Sequence, residues 1–267
     1  MSLLKNLIKK SIDNKRKGRQ IKVFESDIFI TSYPKSGNTW LRFLLGNVLF
    51  DDFNFTNKEE LIPNIHINTN KYLENLPLER RILKSHEYFD PRYKKTIHIV
   101  RDPRSVFISY FEYLKKIKIL KPNATHNDFI DSFIYGDTKI DPYGTWQENV
   151  GSWIGARGES ADFLLVKYED LKNNTEVKLS EILSFINIDV NSEKIKNSIQ
   201  KSSFESMKKN EKINNSKIKE FKKFDKSIPF VRKGTTDEWK SCLDENHNLR
   251  IINSFGNLMA DLGYIKK

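Results

Sequence analysis

The stretch 31-TSYPKSGNTW-40 follows the apolar run 28–30 and opens the amphipathic segment 40–45. That order predicts a buried strand, a tight loop and a helix. The first turn of a helix leaves backbone N–H groups unpaired and carries a partial positive charge, so it favours a bound anion. A loop of this composition before a helix therefore indicates a phosphate-binding site.

Within the loop, three residues have properties that suit an anion. Pro34 fixes the start of the turn, Lys35 adds a full positive charge, and Gly37 lets the backbone come close to a bound group. The nucleotide-triphosphate loop has the pattern GxxxxGK[ST], with its lysine after the second glycine. Here the lysine comes two residues before the glycine, and no glycine precedes it in the loop. The pattern argues against an ordinary ATPase.

Composition indicates one globular domain in a reducing compartment. A chain of 267 residues with 38% hydrophobic residues can bury one substantial core. The single cysteine, Cys242, excludes an intramolecular disulfide. No apolar run approaches the ~20 residues that span a bilayer. Lys5, Lys9 and Lys10 interrupt the first turns, so we expect no secretory signal and a cytoplasmic protein.

Much of the net charge of +11 lies in the first 22 residues, which also contain leucine and isoleucine at helical spacing. We predict a basic amphipathic arm at 1–22 and one domain at 23–267. The arm either packs its apolar residues on the domain or contacts an anionic membrane surface through residues 3–22. Basic residues are not interleaved with aromatic ones and no nucleic-acid-binding module is recognisable, so we predict no nucleic-acid partner.

Strand and helix signals alternate along the chain. Strand signals lie at 28–30, 81–84, 96–100 and 163–166, and helix signals lie at 40–45, 103–117, 127–135, 145–154 and 175–186. Asp102 and Pro103 form a helix start, as a cap residue followed by proline. The alternation predicts an α/β fold, a single domain with a central, mainly parallel sheet flanked by helices. Ligands of such sheets bind beyond the carboxyl ends of the strands.

Two groups of candidate residues follow predicted strands. Arg101 ends one strand and Ser109 lies about two turns into the next helix, where a guanidinium and a hydroxyl could hold a phosphate. Alone, this pattern favours instead an ion pair between Arg101 and a carboxylate. His86 follows another strand beside Lys84, and histidine suits a general base because its pKa lies near neutral pH. The histidines interpreted as structural are His66, His98, His126 and His247.

Six motifs, one of them the loop, are distributed along the chain in a fixed order. They are TSYPKSGNTW at 31–40, LKSH at 83–86, RDPRSVFIS at 101–109, VKYED at 166–170, SSFESM at 202–207 and RKGTTDEWK at 232–240. Their spelling and order resemble the cytosolic-type sulfotransferases, whose donor is 3′-phosphoadenosine 5′-phosphosulfate (PAPS). The resemblance covers about 27–240 and implies a P-loop-like strand-loop-helix that binds the phosphosulfate.

The resemblance implies which residues bind the donor. Those of the phosphosulfate loop are Lys35, Ser36, Gly37, Asn38, Thr39 and Trp40, those at the 3′-phosphate are Arg101, Ser109, Arg232, Lys233 and Gly234, and those around the adenine are Trp40, Tyr168, Ser202 and Phe204. Asp237 stands where the family has a glycine, and Glu238 where it has an aspartate. Aspartate adopts positive φ less readily than glycine, which leaves the conformation of this turn open.

The resemblance also implies the reaction, an in-line transfer of the sulfuryl group to an acceptor hydroxyl. His86 would take the hydroxyl proton, while Lys35 and Lys84 stabilise negative charge and Ser109 contacts the donor. No metal is expected, because lysines and a helix N-terminus face the charge and no Cys/His cluster has metal-ligand spacing.

The acceptor is expected to be a small molecule, a lipid or a carbohydrate with a free hydroxyl. Segments 51–80, 118–145 and 210–230 are candidates for its pocket. Aromatic residues that could line this pocket, or could equally belong to the core, are Phe50, Phe53, Tyr88, Phe89 and Tyr143.

Two alternatives stay open at the level of sequence. A P-loop kinase would use ATP with magnesium, and Asp102 could serve as a magnesium ligand. A non-catalytic nucleotide-binding protein would keep the loops but show no turnover.

Overall fold

The computed structural model describes residues 20–68, 70–76, 80–137, 142–214, 216–218 and 224–266. Most of the predicted arm 1–22, and with it the predicted membrane contact, lies outside these ranges. Within them, no helix combines the length and the apolar character that crossing a bilayer would need.

A four-stranded parallel sheet forms the centre of the domain. Its strands are β1 (Ile28–Ser32), β2 (Ile82–Ser85), β3 (Lys95–Val100) and β4 (Phe163–Lys167), in the spatial order β2-β1-β3-β4. Every pairing is parallel, so the carboxyl ends of the strands meet at one edge of the sheet. The predicted α/β fold with a parallel sheet is confirmed.

Helices connect the strands and continue to the C-terminus. They are α1 (Asn38–Leu49), α2 (Lys58–Leu61), α3 (Asn70–Glu74), α4 (Pro103–Lys116), α5 (Asn127–Tyr135), α6 (Trp146–Arg157), α7 (Tyr168–Asn173), α8 (Thr175–Phe185), α9 (Ser192–Lys201), α10 (Phe204–Asn214), α11 (Trp239–Cys242) and α12 (Glu245–Asp261). The helices predicted at 127–135, 145–154 and 175–186 correspond to α5, α6 and α8.

The strands are buried on both faces of the sheet. Ile28 and Ile30 of β1 belong to one apolar cluster, together with residues of α1 and α8. Phe29, between them, belongs to a different cluster that contains Trp153 of α6. Successive strand residues point to opposite faces, so cover on both sides explains the continuous apolar run in the sequence. Each such buried side chain contributes roughly 1.5–3 kcal/mol.

Helix starts differ in how their first N–H groups are satisfied. The Asp102 side chain accepts from the N–H of Arg104 at the start of α4, and Pro103 is in the first position, as predicted. Thr145 starts α6 with a capping box. Helix α1 follows Gly37, and no side chain of the described residues caps its first turn. That leaves the first N–H groups of α1 for a bound anion.

We predict that Gly46→Ala destabilises the fold. Gly46 lies in α1 at a point where a Cβ would overlap the ring of Phe53, so the added methyl must displace a buried side chain. Overpacking of this kind typically costs about 1–3 kcal/mol. Urea unfolding followed by circular dichroism measures the loss in free energy of unfolding.

Gly155→Ala in α6 is the matched control, because a Cβ at that position would have no described heavy atom within 4 Å apart from its chain neighbours and the backbone of its own helix. It replaces a glycine in a helix interior and should stabilise the protein by about 0.5–1 kcal/mol. Equal effects of the two substitutions would contradict the close packing of α1 on Phe53.

Candidate active site

The loop between β1 and α1 passes twice through the left-handed backbone region. Lys35 has a φ of 68° and Gly37 a φ of 104°. A Cβ at Gly37 would lie 2.5 Å from Cδ2 of Tyr168, so the backbone approaches that ring too closely for any side chain. Asn38 anchors the loop to β1, since its Nδ2 donates to Oγ of Ser32 at 3.1 Å. The loop conformation therefore depends on the absence of a side chain at Gly37 and on the buried side-chain amide of Asn38.

A cavity of about 620 Å³ lies beyond the carboxyl ends of the strands. The predicted site residues that line it are Lys35, Gly37, Asn38, Thr39, Trp40, Lys84, His86, Arg101, Ser109, Tyr168, Ser202, Phe204, Arg232, Lys233 and Gly234. Ser36 is the predicted residue that does not line it. Ser36 is buried, and its Oγ has no hydrogen-bond partner among the described residues. The fold thus brings the six motifs to one place.

Arg101 is held by carbonyl groups and a ring rather than by a carboxylate. Its Nη1 donates to the carbonyl of Lys35 at 3.3 Å and its Nη2 to that of Thr235 at 2.8 Å. Its guanidinium carbon lies 4.4 Å from the centroid of the Tyr168 ring. Within the described ranges Nε has no partner and Arg101 forms no ion pair, so the ion pair favoured by its strand-end position is wrong. The charge of Arg101 is not cancelled.

Aromatic rings line one part of the cavity. Trp40 meets Tyr168 edge-to-face with 5.7 Å between ring centroids, and its Nε1 donates to the carbonyl of Ser202 at 3.0 Å. Nζ of Lys172 lies 5.4 Å from the Trp40 ring centroid, and Phe204 lines the same cavity. Rings held in this way offer a planar heterocycle a large contact area at little entropic cost.

The turn RKGTTDEWK departs from the family pattern without backbone strain at its substituted positions. Asp237 does not adopt a positive φ, which answers the question left open by the sequence. Two guanidinium nitrogens of Arg232 bond to the two oxygens of Glu238. Nζ of Lys233 lies 3.0 Å from Oε1 of the same carboxylate. Glu238 therefore neutralises part of the positive charge of this turn.

Lys35 is surrounded by rings and by other cations. Its Nζ lies 4.3 Å from the ring centroid of Tyr113 and 4.9 Å from that of Phe230. Burial lowers the pKa of Lys35 from 10.5 to about 7, and the charges of Arg101 and Arg232 act in the same direction. A bound anion acts in the opposite direction, so binding of an anion would favour the protonated lysine.

His86 is held as a neutral imidazole with one nitrogen free. Its Nδ1 lies 2.7 Å from the carbonyl oxygen of Ser32, which can only accept, so the ring proton is on Nδ1. Burial lowers the pKa of His86 well below its ordinary value of 6.5, and the nearby charge of Lys84 adds to this effect. Nε2 makes no hydrogen bond to the described residues, and the side chain lines the cavity. This nitrogen can accept a proton from a bound group.

The cavity is also lined by residues that belong to none of the six motifs. They are Asn64, His66 and Ile67 from the candidate segment 51–80, Phe224 and Phe230 from the candidate segment 210–230, and Tyr110 and Tyr113 from α4. Among the aromatic residues predicted for a pocket, Tyr143 lines the cavity, whereas Phe53 is buried in the core and Phe50, Tyr88 and Phe89 are not part of the lining. His66, interpreted as structural, lies 4.8 Å from the Tyr143 ring. These residues reach the cavity through tertiary packing, which leaves no local signal.

Asp102, which a kinase would use as a magnesium ligand, forms an ion pair with Arg104. Nε and Nη2 of Arg104 donate to its two oxygens at 2.9 and 2.6 Å, and the carboxylate also caps α4. Asp102 does not line the cavity. In the part of the chain that the structure describes, no group of three or more His, Cys, Asp or Glu side chains is placed to hold a metal ion.

Sequence comparisons match nearly the whole domain. The family model for the sulfotransferase domain matches residues 25–263. Mouse sulfotransferase 1B1 is 30% identical to this chain over 243 residues, which cover 83% of this chain and 80% of that protein. Mouse sulfotransferase 1 family member D1 is 30% identical over 246 residues with the same two coverages.

Structural comparisons give the same family. Mouse sulfotransferase SULT7A1 complexed with PAP superimposes with a TM-score of 0.74 and 26% sequence identity, over 94% of this chain and 92% of that one. Retinol dehydratase in complex with androsterone and the inactive cofactor PAP superimposes with a TM-score of 0.75 and 20% identity, over 94% and 85% of the two chains. The second match shows a shared fold.

We predict that Lys35→Met stabilises the protein near neutral pH. The lysine has a pKa of about 7 in the folded chain against an ordinary value of 10.5, so between these values folding requires loss of a proton, and the stability from this group rises with pH. Each pKa unit corresponds to ~1.4 kcal/mol, and we expect the variant to gain more than about 1 kcal/mol. Urea unfolding at increasing pH should show this advantage shrink toward pH 10.5.

The control is Lys226→Met at an exposed lysine, which should stay within ~0.5 kcal/mol of the wild type. A Lys35→Met variant that is less stable than the wild type at neutral pH would contradict the burial of a repelled cation.

Proposed function

The chain belongs to the sulfotransferase family and is a PAPS-dependent sulfotransferase, and we propose that His86 is the base that takes the proton from its acceptor hydroxyl. When bound, PAPS supplies the sulfuryl group and the phosphate that leaves with the electrons of the broken S–O bond. The observation that carries the proposal is the free Nε2 of a neutral His86 in the cavity that also contains Lys35 and Arg101.

The residues around the loop fit a ligand with two anionic groups. Among the described residues, no side chain caps the first N–H groups of α1, and Nε of Arg101 is buried without a hydrogen-bond partner. The Tyr168 ring occupies the space that a side chain at position 37 would need, so Gly37 presents only its backbone to the ligand. This supports binding of a phosphosulfate at the loop and of a further phosphate near Arg101.

We assign the donor-binding roles by motif, and all of the assigned residues except Ser36 line the cavity. The phosphosulfate residues are Lys35, Ser36, Gly37, Asn38, Thr39 and Trp40, the 3′-phosphate residues are Arg101, Ser109, Arg232, Lys233 and Gly234, and the adenine residues are Trp40, Tyr168, Ser202 and Phe204. The uncancelled charge of Arg101 and the ring contact between Trp40 and Tyr168 support the last two groups.

His86 acts on the acceptor side of the reaction. Its Nε2 accepts the hydroxyl proton as the bond between the acceptor oxygen and sulfur forms. The carbonyl of Ser32 then stabilises the imidazolium through the hydrogen bond from Nδ1. Because burial and Lys84 lower the pKa of His86, the base is neutral at physiological pH and returns its proton readily.

Lys35 and Lys84 stabilise negative charge during the transfer. Both line the cavity, Lys35 from the loop after β1 and Lys84 from β2. As the bond from sulfur to the phosphate oxygen breaks, charge grows on that oxygen, and fixed cations in a largely buried site stabilise it without reorganisation. Positioning and electrostatics of this kind do most of the work in the related transfer of phosphoryl groups.

For the acceptor we propose a hydroxyl on a small molecule, a lipid or a carbohydrate, with a flat or apolar body favoured. The Tyr143 ring lies 5.5 Å from the His86 ring, and Tyr110 and Tyr113 line the same cavity. Ile67 lines the cavity while 51% of its surface is exposed, so it forms an apolar part of the rim. Aromatic and aliphatic surface of this kind stabilises the apolar part of a ligand.

We predict that 3′-phosphoadenosine 5′-phosphate (PAP) binds without magnesium and that Arg101→Ala weakens this binding by about 10- to 100-fold, as expected for losing charged hydrogen bonds. Calorimetry with PAP, and separately with ATP and magnesium, measures both affinities. Arg250→Ala, at an arginine paired with Asp131 outside the cavity, is the control and should leave PAP affinity unchanged. Preference of the wild type for ATP with magnesium would favour the kinase instead.

We predict that His86→Ala abolishes sulfuryl transfer while PAP still binds. Labelled PAPS with a panel of 2-naphthol, cholesterol, hexadecanol and glucose measures transfer. The pKa of His86 lies well below 6.5, so the base stays neutral in mild acid. The rate of the wild type should therefore begin to decrease only at a pH below 6.5. Undiminished transfer by His86→Ala would refute the base, and no turnover by the wild type on any hydroxyl would favour a non-catalytic nucleotide-binding protein.

A further inference from the structure

A short segment of main chain pairs with the outer edge of β2. The N–H of Lys84 donates to the carbonyl of Pro63 at 2.8 Å, and the N–H of Ile65 donates to the carbonyl of Lys84 at 3.1 Å. This is the hydrogen-bond pattern of a parallel ladder. In a continued ladder the next N–H of this edge is that of His86, and its regular acceptor is the carbonyl of Ile65.

A side chain takes the place of that carbonyl. The N–H of His86 donates instead to Nε2 of His66 at 2.9 Å. The N–H of His66 donates to Oδ1 of Asn64 at 3.1 Å. The two imidazole rings are nearly parallel, with 6.0 Å between centroids. The ladder therefore ends in a histidine side chain bonded to the main chain of the proposed base.

This bond fixes the proton on His66 at the other nitrogen. Since Nε2 accepts, the proton is on Nδ1, which lies 3.7 Å from Oε1 of Glu87. Burial lowers the pKa of His66 to about 3, and the charge of Lys84 adds to this effect. The ring is neutral at physiological pH, so its Nε2 keeps the lone pair that the N–H of His86 needs.

All the polar groups that could hold His86 in place are engaged by different segments. The N–H bonds to His66, the carbonyl accepts from Nδ2 of Asn149 at 3.0 Å, and the ring Nδ1 bonds to the carbonyl of Ser32. Only Nε2 is left for a ligand. Of the three residues that make these bonds, His66 is the one that also lines the cavity.

We infer that His66 is a positioning residue, which holds the main chain of His86 through this hydrogen bond and thereby fixes where Nε2 of His86 meets the acceptor hydroxyl. The inference rests on the proposed role of His86 as the base. A base acts within hydrogen-bond reach, and an error of about 1 Å in such a position can cost about 100-fold in rate.

Two substitutions separate the hydrogen bond from the bulk of the ring. Glutamine places an acceptor oxygen near the position of Nε2, whereas phenylalanine keeps a ring but accepts no hydrogen bond. We expect His66→Phe to lose about tenfold or more in turnover with PAP affinity unchanged, and His66→Gln to keep most of the turnover. Turnover is measured on whichever hydroxyl of the panel the wild type uses, and calorimetry with PAP shows that each variant is folded.

Amide hydrogen exchange of His86, resolved by NMR, tests the bond without any acceptor. Its protection should be lost in His66→Phe and kept in His66→Gln. Unchanged protection in His66→Phe, or an equal loss of turnover in both variants, would overturn the inference. Full turnover of His86→Ala would instead refute the proposed base, and the exchange measurement would still decide whether His66 holds the main chain.

Discussion

The site depends on holding several positive charges close together where little water reaches them. Buried cations lose hydration and repel one another. The chain places them against groups that stabilise a cation without cancelling it. Arg101 donates to two main-chain carbonyls, and Lys35 lies over the rings of Tyr113 and Phe230. A carboxylate would be a stronger partner but would also compete with the ligand; in this cavity Glu238 pairs with Arg232 and Lys233, and Glu59 pairs with Arg42 and Lys58.

The same field of positive charge shapes the acceptor side. Lys84 lies between the two histidines in sequence, and its charge lowers the pKa of both His66 and His86. Because both rings are neutral, each has one protonated nitrogen and one nitrogen whose lone pair can accept a hydrogen bond. The lone pair of His66 therefore accepts a hydrogen bond from the main-chain N–H of His86, and the lone pair of His86 is left for a group in the cavity. Donor and acceptor sides are thus linked by electrostatics as well as by the sheet.

Sequence patterns predicted the parts of the structure that depend on local properties. Apolar runs predicted the four strands, the Asp102–Pro103 pair predicted the start of α4, and the six motifs contain many of the residues that line the cavity. The strand-end position of Arg101, taken alone, favoured an ion pair with a carboxylate, and this was wrong because a partner of its guanidinium, the carbonyl of Thr235, lies 134 residues away in sequence. His66 was missed for a similar reason, since its role follows from pairing along the outer edge of β2, which no spacing in the sequence encodes.

The left-handed conformation of Lys35 connects the stability of the enzyme with the concentration of its donor in the cell. That backbone conformation costs a residue other than glycine about 1–2 kcal/mol, and placing the lysine among other cations costs more. A ligand that binds only the folded chain stabilises it by about 2.7 kcal/mol at a hundredfold excess over its dissociation constant. Loaded enzyme therefore opens less often and meets proteases less often. In a cell, the lifetime of this protein should follow the supply of its donor.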